Sequence, residues 1–128
     1  MYLDYTGIRV TNLARSVRFF TEGLGLVELR RGRMSHRGVW VLLGDRATGQ
    51  RLELNWYPKG SRYASAFVPG EGLDHIGLRV QSLAAAGRRI RKAGGRKVDE
   101  IRWRGKTELE YYEGPDKVWV ELILSPSE

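Results

Sequence analysis

Cysteine is absent from the 128 residues, and there are only two histidines, two methionines and four prolines. Without a thiol the chain can form no disulfide framework, no thiolate zinc centre and no cysteine nucleophile. It also lacks a run of about 18 apolar residues that would cross a bilayer as a helix, so no membrane partner is expected. The first ten residues alternate in polarity rather than pairing a basic start with an apolar block. They do not read as a secretory leader, and a cytoplasmic location is expected. An acidic balance is missing too: 22 Lys and Arg stand against 15 Asp and Glu, a formal charge of +7, and 17 of the 22 are arginine. Such a surface attracts anions, and the guanidinium fork suits carboxylate or phosphate. What is present suffices for a core: 41% of residues are hydrophobic and 13 are aromatic, in a length typical of one domain.

A repeat organises the chain. Residues 4–13 (DYTGIRVTNL) laid over residues 74–83 (DHIGLRVQSL) match at five of ten positions, with an offset of seventy. Further on, Leu52-Glu53-Leu54 with Pro58 lies over Val120-Glu121-Leu122 with Pro126, with an offset of sixty-eight. Matches in order at the start and end of each half imply two copies of one unit, residues 1–58 and 74–128. Residues 59–73, with Gly60, Pro69, Gly70 and Gly72, read as an exposed connection. Two copies are too few for a solenoid, so two paired half-sheets are expected.

Each half reads in the same order. In the first, residues 5–10 alternate as a strand and Asn12 caps a helix over 13–22 that Gly23 and Gly25 end. Strands are expected at 26–31, 38–43 and 51–56. In the second half a strand at 75–80 precedes a helix at 83–93, and strands follow at 98–102, 109–113 and 117–124. The order is βαβββ, twice, which predicts an α+β fold. The two-residue period of a strand then sorts the side chains. Ile8, Val10, Leu52, Leu54, Leu78, Val120 and Leu122 share the faces that pack on helices. Tyr5, Arg9, Glu53, Tyr57, His75, Arg79 and Glu121 lie on the opposite faces. Glu53 and Glu121 each interrupt an apolar run, and a carboxylate rarely sits there without a partner.

The opening Tyr5-Thr6-Gly7-Ile8-Arg9-Val10, followed by Ser16-Val17-Arg18-Phe19-Phe20-Thr21-Glu22-Gly23-Leu24-Gly25, resembles that of the vicinal oxygen chelate superfamily. Leu73-Asp74-His75-Ile76-Gly77-Leu78-Arg79-Val80 is similar to its second-module opening. Gly114-Pro115-Asp116 leading to Trp119-Val120-Glu121-Leu122-Ile123 is similar to its last strand. The resemblance implies two βαβββ modules whose curled mixed sheets enclose a central cavity with one divalent metal ion. Within the group the pattern is most like glyoxalase I, a carbon–sulfur lyase. Its ligand slots fall on Tyr5, Glu53, His75 and Glu121.

Tyr5 stands where the family usually has His or Gln. A phenol, with a pKa near 10, ligates poorly. Tyr5 therefore either binds as phenolate, or hydrogen-bonds to a metal-bound water or substrate, or marks a site without metal. Glu53, His75 and Glu121 remain as donors suited to Zn, Ni, Co, Mn or Fe. The chemistry implied is proton transfer beside a carbonyl of a vicinal-dioxygen substrate such as a hemithioacetal. Glu121 is the expected base and Glu53 its partner, while Arg9, Arg79, Tyr57 and Tyr5 bind a small, anionic substrate. Arg9 occupies the slot that glyoxalase I relatives use for glutathione. Their Thr-Tyr-Asn-Trp is replaced here by Leu54-Asn55-Trp56-Tyr57, which leaves another thiol, a CoA ester or a vicinal diol open.

The resemblance also implies a homodimer, since many relatives build each cavity from modules of two chains. Two other readings belong to the same group: a metal-free binding protein like those of bleomycin resistance, and an extradiol dioxygenase. The second normally needs two histidines. The basic run Arg88-Arg89-Ile90-Arg91-Lys92, with Arg96, Lys97, Arg102, Arg104 and Lys106, has only Trp103 as an aromatic neighbour. It reads as a solvated face that can catch a phosphate, and no nucleic-acid partner is expected. His36 reads as a loop residue.

Overall fold

The computed structural model describes residues 4–34, 37–61, 67–69, 73 and 75–126. His36 and most of the connection expected over 59–73 lie outside the described residues.

The first module runs β1 (Thr6–Val10), α1 (Leu13–Arg18), a π-helical turn (Phe19–Gly23), β2 (Val27–Arg33), β3 (Val39–Gly44) and β4 (Arg51–Trp56). The second runs β5 (His75–Val80), α2 (Leu83–Lys92), β6 (Arg96–Trp103), β7 (Lys106–Glu113), a 3-10 turn (Pro115–Lys117) and β8 (Trp119–Leu124). Two mixed four-stranded sheets result, ordered β1-β4-β3-β2 and β5-β8-β7-β6, with β1 parallel to β4 and β5 parallel to β8. A parallel partner needs a crossover, and the capped helix provides it in each half. Asn12 accepts from the Arg15 amide and Ser82 from the Ala85 amide, so both helices start where a side-chain oxygen satisfies an otherwise orphaned donor.

The modules meet through their helical sides. Ile8, Val10 and Leu54 of the first and Tyr112, Val120 and Leu122 of the second belong to one buried cluster with Phe19, Phe20 and Ile90. Phe19 is the hinge pin of this contact. Fully buried, it lies so close to Gly114 that a Cβ there would stand 2.6 Å from its ring. The Gly114-Pro115-Asp116 turn also clasps the other module: the Asp116 carboxylate accepts from the Thr11 amide at 2.9 Å and from the Thr11 hydroxyl. Asp116 adopts a left-handed conformation (φ 58°) to do so, a strain of about 1–2 kcal/mol that the clasp offsets. Arg89 Nε adds a third tie, donating to the Glu22 carbonyl at 2.6 Å.

Several boundaries differ from expectation for local reasons. The helix expected over 13–22 is six α residues followed by the π-helical turn. β6 and β7 are longer than expected because Arg104 and Gly105, both at positive φ, close them as a tight hairpin. β8 starts at Trp119 rather than 117, since Asp116 and Lys117 are both left-handed and cannot continue a strand.

Candidate functional site

With their helical sides joined, the two sheets turn their other faces outward. Along β5 the side chains alternate, so that His75, Gly77 and Arg79 are exposed while Ile76, Leu78 and Val80 are half-buried against the core. Parallel register sets Gly77 beside Glu121, and antiparallel register sets Tyr111 on the other side of Glu121. His75 lies one row away, beside Trp119. The imidazole reaches across: His75 Nε2 is 2.9 Å from Glu121 Oε2. The carboxylate is mostly buried and the imidazole about one-third exposed. Tyr111 packs edge-on to His75 at 6.1 Å between ring centroids and lies 5.7 Å from Trp119. Gly77 has no side chain, and a Cβ there would meet nothing closer than Ile123 at 3.9 Å, so one flank of Glu121 stays open.

The first sheet repeats this row by row. Gly7 pairs with Glu53, and Arg9 with Asn55, in the parallel register of β1 and β4. Leu42 and Trp40 of β3 flank them on the other side. Partial burial pushes the Glu53 carboxyl above the ordinary carboxylate range, and a hydrogen bond from Asn55 pulls it part of the way back. Asn55 therefore lies on the site face, two residues along β4 from Glu53. Arg9 stacks its guanidinium 5.2 Å from the Phe67 ring centroid and 6.0 Å from that of Tyr57, which fixes it at the end of this face. Tyr5 lies just before β1 and is 44% exposed.

The expected donors thus come together in part. His75 and Glu121 form one pair, and Glu53 lies on the other sheet. Among the described residues of the single chain no three His, Cys, Asp or Glu side chains gather closely enough to hold an ion together. Tyr111, Trp119 and Trp40 are residues of these faces that sequence reasoning passed over. The signal for Tyr111 and Trp119 was the register opposite Glu121 and His75, which depends on pairing rather than on any motif.

The donor set suits a divalent ion. An imidazole nitrogen beside a carboxylate oxygen is the common borderline pair for Zn or Ni. Glu53 is a desolvated carboxylate with no cation paired to it among the described residues. Burial penalises its charge, and a bound cation would remove that penalty.

Two βαβββ modules, each presenting a glutamate from its last strand beside a glycine of its first, define a paired-module α+β protein that displays its polar chemistry on sheet faces. The chain belongs to the glyoxalase/bleomycin resistance protein/dioxygenase superfamily, whose family model matches residues 2–122. Lactoylglutathione lyase of Salmonella typhimurium is 31% identical over 131 residues, covering 96% of this chain and 92% of that protein. Lactoylglutathione lyase of Neisseria meningitidis serogroup A is likewise 31% identical, covering 99% of this chain and 93% of its own length. Among solved structures, the trypanothione-dependent glyoxalase I of Leishmania major superposes with a TM-score of 0.73 at 26% identity, over 97% of this chain and 86% of that one. A Bacillus cereus glyoxalase family protein, with a TM-score of 0.78 at 18% identity over 99% of this chain and 95% of its own, shares the fold. No helix among the described residues is long and apolar enough to cross a membrane.

Proposed function

We propose that the protein is a glyoxalase I-like lyase that moves a proton between adjacent carbons of a vicinal-dioxygen substrate, a hemithioacetal of glutathione or a related thiol. The single observation that carries this reading is the His75–Glu121 pair at 2.9 Å on an open sheet face, in a chain about 30% identical to lactoylglutathione lyases. His75 and Glu121 of one copy, with Glu53 of a second, are the donors that would hold one divalent ion of Zn, Ni, Co, Mn or Fe. Bound there, the ion would polarise a substrate carbonyl and make the neighbouring C–H more acidic. Glu121 takes that proton and returns it to the adjacent carbon. Glu53, hydrogen-bonded by Asn55, would be a further ligand and the second carboxylate of the site.

Arg9, braced between Tyr57 and Phe67, and Arg79, exposed on β5, bind the carboxylates of an anionic substrate. Tyr57 lines the end of the sheet that holds Arg9, and Tyr5 stands before the other end of β1, next to the row of Thr6 and Leu52. Residues 1–58 and 74–128 act as the two modules of this arrangement, joined through 59–73. The homodimer is part of the reading. It is supported by the outward direction of both polar faces and by large apolar side chains left exposed on the second sheet, among them Ile101, Trp103 and Trp119.

The test is metal content. Protein incubated with a panel of divalent ions and then desalted should retain about one ion per chain, and His75→Ala should retain almost none while keeping its Tm. An ion retained equally by His75→Ala contradicts the ligand set. No ion retained by the wild-type chain would overturn the lyase and favour a metal-free binder of small molecules.

A further inference from the structure

On the helical side, away from Glu53 and His75, the two modules leave a groove of about 870 Å³ between α1, the end of α2, the start of β6 and the turn before β8. Six cationic side chains line it: Arg15, Arg18, Arg91, Lys92, Arg96 and Lys117. Among the described residues only two carboxylates do, Glu113 and Asp116, and both are engaged, with Arg96 and with Thr11 respectively. Arg18 is paired with Glu22 at 3.0 Å, so among the described residues a surplus of three positive charges remains around one cavity. Arg15, Lys92 and Lys117 have no ion pair among the described residues. The negative end of the α2 dipole, equivalent to about half a charge, is too small to cancel them.

The sequence alone assigned the run 88–92 to a solvated face that can catch a phosphate; its four cations are exposed, and the fold gives them different neighbours. Ile90 is buried, Arg89 ties down the Glu22 carbonyl, and Arg91 is held over the Tyr112 ring at 5.5 Å with Lys92 beside it at the groove. Three of the cations are thus anchored, Arg91 by the ring, Arg96 by its 3.3 Å pair with Glu113 and Arg18 by its 3.0 Å pair with Glu22, so less side-chain entropy is lost when an anion arrives.

We propose that this groove is an anion site for a compact chain of phosphates, a di- or triphosphate group. The volume admits such a group with its water. No aromatic side chain among the described residues lines the groove, so they offer no platform on which nucleobases would stack, as single-stranded nucleic acid requires. The surplus charge matches a polyphosphate better than a monocarboxylate. The site is separate from the proposed lyase face and does not depend on it.

Calorimetric titration of the full chain with sodium tripolyphosphate tests the site. At about 150 mM salt, where charges act over only some 8 Å, the wild-type chain should saturate near one equivalent. The double variant Arg15→Glu/Lys92→Glu, at exposed positions outside the core, should bind at least about tenfold more weakly. The control Arg104→Glu/Lys106→Glu, at the far hairpin, carries the same change in net charge and should stay within about twofold, since distant exposed charges are screened. Equal weakening in both doubles would mean that general surface charge is responsible and would overturn the proposal. So would absence of saturable binding, or tight binding of a single-stranded oligonucleotide by a chain that ignores tripolyphosphate.

Discussion

On the proposed function, Glu121→Gln should lower kcat on a hemithioacetal by about a hundredfold to ten-thousandfold, the span that a positioned general base contributes. The substitution is nearly isosteric and leaves the neighbouring Val120 and Leu122 in the core, so Tm should change little. What it removes is the basic oxygen 2.9 Å from His75. The amide can still accept one hydrogen bond from the imidazole, but it cannot take a proton from carbon. If Glu121 is the base, the loss falls on kcat even when the metal site is saturated and KM is preserved. Rapid-mixing kinetics at saturating metal separate the two parameters. A variant that retains most of its kcat would exclude Glu121 from the proton transfer and leave it, at most, a ligand.

The second large effect is on stability. Phe19→Ala should cost about 3–5 kcal/mol, as deletion of a fully buried aromatic ring does, and lower Tm by about 10 °C or more. The ring is enclosed by both modules: Gly23 on its own turn, Gly95 after α2, and Gly114 before β8 all approach it. Removing it opens a cavity at the junction that the Thr11–Asp116 clasp alone cannot close. Thermal unfolding followed by calorimetry measures the change. A loss below about 1 kcal/mol would mean that the junction relaxes and that the modules are held chiefly by polar ties.

The architecture was largely legible in the sequence because it is written twice. The repeat of Asp-x-x-Gly-x-Arg-Val gave the module boundaries their pattern, and two-residue alternation placed Glu53 and Glu121 on faces opposite the core, where β4 and β8 hold them. Less legible were features that depend on pairing across the chain. The β6–β7 hairpin turns on Arg104-Gly105 rather than on the Asn-Gly or Asp-Gly that advertises such a turn, so both strands read short. Gly114-Pro115-Asp116 resembled a family motif, yet its mechanical role, to seat Phe19 and receive Thr11, emerges only when the modules are packed. The same holds for the site. Alternation puts Glu53, His75 and Glu121 on like faces of their own sheets, but it says nothing about whether those faces look toward each other within one chain. The helix-to-helix junction turns them apart, which is why a second copy enters the proposed site.

The most direct measurement of that claim is complementation between two site variants. Glu53→Gln and Glu121→Gln chains, each retaining little metal alone, are co-refolded in equal amounts, loaded with the preferred divalent ion and desalted. If each site takes Glu53 from one copy and His75 with Glu121 from the other, half the dimers are mixed and each mixed dimer contains one intact site. Retention then rises to about a quarter of an ion per chain. If every site is built within one chain, no mixture can restore it, and retention staying at the level of the separate variants would contradict the account.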